Sequence, residues 1–237
     1  MIYLTIDTSA GISVGVCETE LGDVRVLEER STSDPRHHAE FLTPYVKEAL
    51  AAAGVERPDA VIVGTGPAAF TGLRAGLVTG RTLATVWDVP IYGLSSLEVL
   101  ALAGIDAGAN IVVPIIDARR KEVYSLRARV MGPDDLEVLE EAQVAAPADV
   151  AREVQDQEAV VVTNDANPDL YADVFTELES VHVSPALMVR LLNSRLARRE
   201  AGEQVDLGTE PQYLRRPDVH AGAHAQPQAQ GNPYGLQ

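Results

Sequence analysis

A chain of 237 residues, 46% hydrophobic and 23% charged, is long enough for one large domain or two small lobes, each with its own core. Its formal net charge of −16, −6 over residues 1–105 and −10 over residues 106–237, sets the surface against phosphate backbones and speaks against tight unaided binding to nucleic acid. The single cysteine, Cys17, excludes an internal disulfide framework; with no basic leader before an apolar run and no apolar stretch of membrane-span length, a cytoplasmic protein with no membrane contact is expected.

The predicted elements begin with a strand over Ile2 to Ile6, a polar turn at Asp7-Thr8-Ser9-Ala10-Gly11, a second strand from Ile12 to Glu18 and a third from Val24 to Glu28, all antiparallel. Asp34-Pro35 opens a helix, Asp as N-cap and Pro at N1, with His38, Phe41, Leu42, Tyr45, Val46 and Leu50 at helical spacing until Gly54. Val61 to Val63 has the β-branched content of a buried parallel strand and runs into a loop where Gly64 and Gly66 allow positive φ. Thr71 reads as the N-cap of a helix to about Trp87, stopped by Asp88-Val89-Pro90. On that helix Gly72, Gly76 and Gly80 form a bare stripe. Each interior glycine costs about 1 kcal/mol against alanine, so close packing must offset it, either on the lobe's own sheet or on a partner protein. Arg74 in the first turn opposes the helix dipole and calls for a nearby carboxylate. A strand from Ile91 to Leu94 and a short helix capped by Ser95, ending near Gly104, complete the order βββαβαβα.

The second half repeats this order. Strands are expected over Ile111 to Ile116, Glu122 to Arg129 and Leu136 to Glu140, a weak helix over Pro147 to Val154, and the matching central strand over Val160 to Thr163. A short helix near Pro168 to Phe175, a strand over Ser180 to Val183 and a helix from Ser184 to about Glu200 follow. Arg190, Arg195, Arg198 and Arg199 near its end read as a solvated face. The expected fold is α/β: two duplicated βββαβαβα lobes, residues 1–105 and 106–216, the plan of the actin-like ATPase (ASKHA) superfamily, with the second lobe degenerate. Residues 217–237, rich in Ala, Gln, Gly, Pro and His, read as a disordered tail.

Several motifs carry a family resemblance. Ile6-Asp7-Thr8-Ser9, His38-Ala39-Glu40, the Gly64–Gly76 stretch, Gly93-Leu94-Ser95-Ser96-Leu97-Glu98, Asp117-Ala118-Arg119-Arg120-Lys121-Glu122-Val123-Tyr124 and Glu210-Pro211-Gln212-Tyr213-Leu214-Arg215 occur in the order found in the TsaB (YeaZ) family. The resemblance covers residues 1 to about 216. It implies a non-catalytic actin-like paralogue that dimerises with the catalytic subunit TsaD. With the ATPase TsaE, that complex moves a threonylcarbamoyl group onto the adenosine beside the anticodon of tRNAs reading codons that begin with A, so that this chain is expected to meet tRNA only indirectly.

Read on their own residues, Asp7 and Asp117 stand where active actin-like proteins place carboxylates that act through water on a metal and phosphates, and Asp7, Thr8, Ser9, Gly66 and Asp117 make a vestigial nucleotide cleft. It is eroded: Asn164-Asp165-Ala166-Asn167 carries no glycine after the second central strand, and Asp117 is followed by Ala118-Arg119-Arg120. Unaided ATP hydrolysis is not expected, and a nucleotide, ATP or ADP, is placed at most weakly or at a subunit interface; Asp7-Thr8-Ser9 reads as a hydrogen-bonded turn. No metal is expected, since His37 and His38 have Phe41 and Leu42 at their i+4 positions rather than histidine. Cys17 reads as core. No catalytic residue is assigned. His38, Phe41, Leu42 and Tyr45 of the first helix, with Gly72, Leu73, Gly76 and Gly80 of the second, are expected to grip the partner, and the same surface would serve a homodimer. An actin-like kinase or ATPase would need the missing glycines, and a metallopeptidase the missing histidine pair.

Overall fold

Two five-stranded mixed sheets are wired in the same order. In the computed structural model, which describes residues 1–33, 38–107, 110–155, 158–175 and 177–215, the first comprises β1 (Ile2–Asp7), β2 (Ile12–Glu20), β3 (Asp23–Thr32), β4 (Ala60–Gly64) and β5 (Ile91–Leu94), arranged β3-β2-β1-β4-β5. The second comprises β6 (Ile111–Asp117), β7 (Val123–Gly132), β8 (Asp135–Ala145), β9 (Ala159–Asn164) and β10 (Leu178–Val181), arranged β8-β7-β6-β9-β10. In each, the first three strands are antiparallel and the last two join parallel. The continuous apolar run of β4 follows from its place: paired to β1 and β5, it is buried at all five positions.

The helices divide into three layers. α1 (His38–Ala53) and α2 (Phe70–Trp87) cover one face of the first sheet, with Leu42, Val46, Leu73 and Leu77 in its core. α4 (Pro147–Val154) covers the outer face of the second. Between the sheets lie α3 (Ser96–Ala103) and α5 (Pro185–Glu200), exchanged between halves: α3 packs on β6 to β9, α5 on β1 to β3. Leu97, Leu100, Leu187, Met188 and Leu191 thereby join Ile62 and Ile116 in one core.

Several expectations change. Ala69, not Thr71, is the N-cap of α2, with no side-chain cap; Thr71 lies exposed inside the first turn, and the start is held by the Leu73 amide donating to the Ala69 carbonyl at 3.1 Å. The segment expected as a helix near residues 168–175 is a run of i to i+3 turns, interrupted by Tyr171 at φ +55°. The last strand sits two residues earlier than its pattern suggests. The arginines of α5 are not a solvated face. Arg195 is buried, with Nη2 2.6 Å from Glu98 Oε2; Arg198 Nη2 is 2.5 Å from Asp135 Oδ2, and Arg190 Nε is 2.5 Å from Asp134 Oδ1. They tie the β7–β8 turn and α3 to α5; only Arg199 is left exposed among the four. The expected Asp34-Pro35 helix start and the expected tail at 217–237 lie outside the described residues.

Candidate functional site

Asp7 ends β1 and its Oδ1 accepts the Ser9 amide at 2.7 Å, the turn expected from Asp7-Thr8-Ser9. The Ser9 and Ser96 hydroxyls share a hydrogen bond of 2.7 Å. Burial pushes the Asp7 carboxyl above its ordinary range, and hydrogen bonds from Ser96 and Ser9 work against that rise. Gly64 is required here, because a Cβ would collide with the Asp7 carboxylate. Thr8 turns the other way and donates to the Gly72 carbonyl at 2.9 Å. Gly66, at φ +91°, is knitted to α3: its carbonyl accepts the Ser96 amide at 2.9 Å and its amide donates to Ser96 Oγ at 3.3 Å.

A cleft of about 420 Å³ opens between the sheets at this point, lined by Asp7, Ser9, Ser96, Glu29, Asp165 and His182 over an apolar floor of Leu100, Ile116 and Met188. Of the expected nucleotide set, only Asp7 and Ser9 line it. Asp117 is not part of its lining: its Oδ1 accepts the Arg119 amide at 2.8 Å, and its Oδ2 lies 3.2 Å from Arg119 Nη1. Glu29 and His182 enter the site from 153 residues apart, a pairing that no local spacing announces. His182 Nδ1 lies 2.8 Å from Asp165 Oδ2 and Nε2 lies 3.3 Å from Glu29 Oε1. The Asp165 hydrogen bond is the first cause holding its pKa above the ordinary value. Among the described residues, three carboxylates and no lysine or arginine line this cleft, so it disfavours a polyphosphate. Among the described residues, too, no group of three or more His, Cys, Asp and Glu is placed to hold a metal ion. Cys17 is core, its thiol pushed up to about 12 by burial.

The glycine stripe packs inward. A Cβ on Gly76 would strike Thr8 and one on Gly80 would strike Val63, while Gly72 spends its carbonyl on Thr8. Leu73 and Leu42 are buried in the same core. Gly72, Leu73, Gly76, Gly80 and Leu42 are therefore structural, because α2 must lie close on β1 and β4. The outward side of this layer carries Phe41, stacked on Tyr45 with ring centres 5.9 Å apart, and two residues not expected there, Val78 and Val86, exposed at 61% and 72%. The side chain of His38 lies outside the described residues.

Arg74 has an aromatic partner where a carboxylate was expected. Its Nε donates to the Tyr213 hydroxyl at 2.8 Å and its guanidinium sits 3.9 Å from the centre of the Phe70 ring. Tyr213 belongs to a strap after α5. The Gly93 amide donates to the Leu207 carbonyl at 2.9 Å, Arg81 Nη2 reaches the Thr209 carbonyl at 2.6 Å, the Gln212 amide donates to the Thr65 carbonyl at 2.9 Å, and Arg215 pairs with Glu122. The Glu210–Arg215 motif thus stitches the end of the chain to α2, β5 and the glycine loop.

A family model described as TsaD, tRNA N6-adenosine threonylcarbamoyltransferase, matches residues 25–160, more than half of the chain. The chain belongs to this family. It is similar to an uncharacterized protein of Mycobacterium tuberculosis H37Rv, 43% identical over 137 residues, 55% of this chain and 62% of the relative. The tRNA threonylcarbamoyladenosine biosynthesis protein TsaB of Bacillus subtilis is 35% identical over 127 residues, 53% of this chain and 54% of the relative. The matched segments thus span less than two thirds of these curated relatives. The solved structure of YeaZ from Pseudomonas aeruginosa superposes with a TM-score of 0.70 at 28% identity, covering 90% of this chain and 99% of that one. The resemblance to TsaB (YeaZ) carried by the motifs holds. No helix among the described residues is long and apolar enough to cross a membrane.

Proposed function

We propose that this chain is a non-catalytic TsaB-type subunit, built on two duplicated actin-like lobes, residues 1–105 and 106–216. It pairs with and activates a homologous catalytic TsaD subunit for threonylcarbamoyl transfer to the adenosine beside the anticodon of tRNA. TsaE acts through that complex. The observation that carries the reading is the cleft: where an actin-like enzyme must receive phosphates, the described residues present Asp7, Glu29 and Asp165 without a lysine or arginine, and Asp117 is engaged by its own Arg119. The repeated strand order supports the duplicated plan.

The contact surface we assign is the outer side of α1 and α2, with Phe41, Tyr45, Val78 and Val86 as anchors; the same face serves a homodimer when the chain is alone. The test is co-purification from the cell of origin. The TsaD homologue is expected as the main partner of the native chain and to be missing from a Val78→Glu, Val86→Glu variant with an unchanged unfolding midpoint, since exposed substitutions shift stability by about 0.5 kcal/mol or less. Undiminished recovery of the homologue with the variant sinks the surface. Steady ATP turnover by the isolated chain, abolished by Asp7→Ala, sinks the non-catalytic role.

A further inference from the structure

Three segments far apart in sequence meet beside the glycine loop: the start of α2 with Phe70 and Arg74, the turn before β7 with Arg119, Arg120 and Lys121, and the end of the strap with Tyr213, Leu214 and Arg215. A tilted ring contact, an ion pair and hydrogen bonds join them. Tyr213 lies 4.9 Å from Phe70, centre to centre, and accepts from Arg74 at 2.8 Å. Two residues on, Arg215 pairs with Glu122, the neighbour of Lys121. The Tyr124 hydroxyl reaches the Ala68 carbonyl at 3.5 Å, which holds the start of β7 against the loop.

On a molecule of net charge −16, the described residues of these three segments bring together five cations, Arg74, Arg119, Arg120, Lys121 and Arg215, with Asp117 paired to Arg119 and Glu122 to Arg215. Tyr213 is 40% exposed. The turn holds φ values of +62°, +55° and +63° at Arg119, Arg120 and Lys121 in succession. Glycine would adopt that backbone without strain, yet every position bears a long cationic side chain.

We propose that this patch is an RNA contact surface, the cations meeting phosphodiester oxygens and the Tyr213 ring stacking an unpaired base. Cations fixed beside an exposed aromatic platform suit single-stranded nucleic acid, which offers charge along its backbone and a π-face on every base; an acidic protein would not need the ring. The acidic remainder of the chain keeps the affinity weak and steeply salt-dependent. This RNA surface does not depend on the partnership proposed above.

The test is amide NMR of the full isotope-labelled chain titrated at low salt with a single-stranded RNA oligonucleotide of mixed sequence. Shifts are expected at residues 70–74, 118–122 and 213–215. Arg120→Glu with Lys121→Glu is expected to weaken binding about tenfold and to flatten the log K against log salt slope by about 0.7 for each phosphate no longer neutralised. Tyr213→Ala is expected to reduce affinity without changing that slope. Arg152→Glu and Arg199→Glu, exposed arginines elsewhere, are expected to change neither. The proposal is overturned by an absence of shifts at millimolar RNA, by shifts confined to other surfaces, or by a charge-reversal variant that titrates like the controls. It is equally overturned if the reversal weakens capture of the TsaD homologue while the RNA titration is unmoved, which makes the patch a protein-binding surface.

Discussion

Single side chains decide how closely the second helix lies on its sheet. Thr8 fills the space above Gly76 and cannot turn aside without giving up its hydrogen bond to the Gly72 carbonyl. Gly76→Leu is therefore expected to destabilise the fold by about 1–3 kcal/mol or more, read as a lower denaturant midpoint with any loss of partner binding in proportion to unfolding. A normal midpoint with selective loss of binding would return the stripe to the interface. His182 makes a second prediction at this scale. Its folded pKa is raised by Asp165 and Glu29, so its contribution to stability is fully present below the unfolded value of about 6.5 and is lost as pH rises through the folded value. Stability measured on either side of that window should show this loss in the native chain and not in His182→Gln. An identical pH profile in both would mean that the latch across the cleft is not formed in solution.

At the scale of elements, α5 is held less by its own dipole than by the hairpin it clasps. Arg195 and Arg198 share Asp135 at the start of β8, and Arg195 also reaches Glu98 of α3. Removing one partner of a buried pair leaves the other charge uncompensated, so Arg195→Ala is expected to cost up to about 3 kcal/mol, discounted from the fully buried case because Glu98 and Asp135 keep some solvent exposure. Arg199→Ala, exposed at the same helix end, should stay within about 0.5 kcal/mol. Urea unfolding of the two variants side by side checks the contrast; equal midpoints would mean that the clasp carries no net stability. The turn before β7 stores the opposite kind of energy: at three consecutive positive φ values, each side-chain-bearing residue costs on the order of 1–2 kcal/mol, which neighbouring packing must offset.

At the scale of the whole molecule, the exchange of α3 and α5 makes the two halves dependent on one another. Residues 1–105 alone would expose the face of β1, β2 and β3 that α5 covers, including the surroundings of Cys17 and Tyr3. That fragment is expected to remain unfolded or to aggregate, with no dispersed amide NMR spectrum. A cooperative, dispersed fragment would show that the first sheet carries its own core.

Most of the elements were legible in the sequence because their signals are local: the β-branched run of β4, the stop at Asp88 before Pro90, the Ser184-Pro185 start of α5 and the repeated order of strands all follow from backbone preference and hydrophobic period. The turn at Asp7-Thr8-Ser9 and the glycine-free Asn164–Asn167 stretch were equally readable, since each lies within one short segment. What only the tertiary structure decided are contacts between segments whose separation carries no periodic signal. The stripe of glycines has the same spacing whether it faces a sheet or a partner, and Thr8 and Val63 settled it. The arginines of α5 look solvated on a helical wheel until a hairpin more than fifty residues earlier folds against them. Glu29 meets His182, and Arg74 meets Tyr213, through chain reversals that no local free energy specifies; those pairings, and with them the character of the cleft and of the basic patch, exist only once two sheets and the strap have closed around a common core.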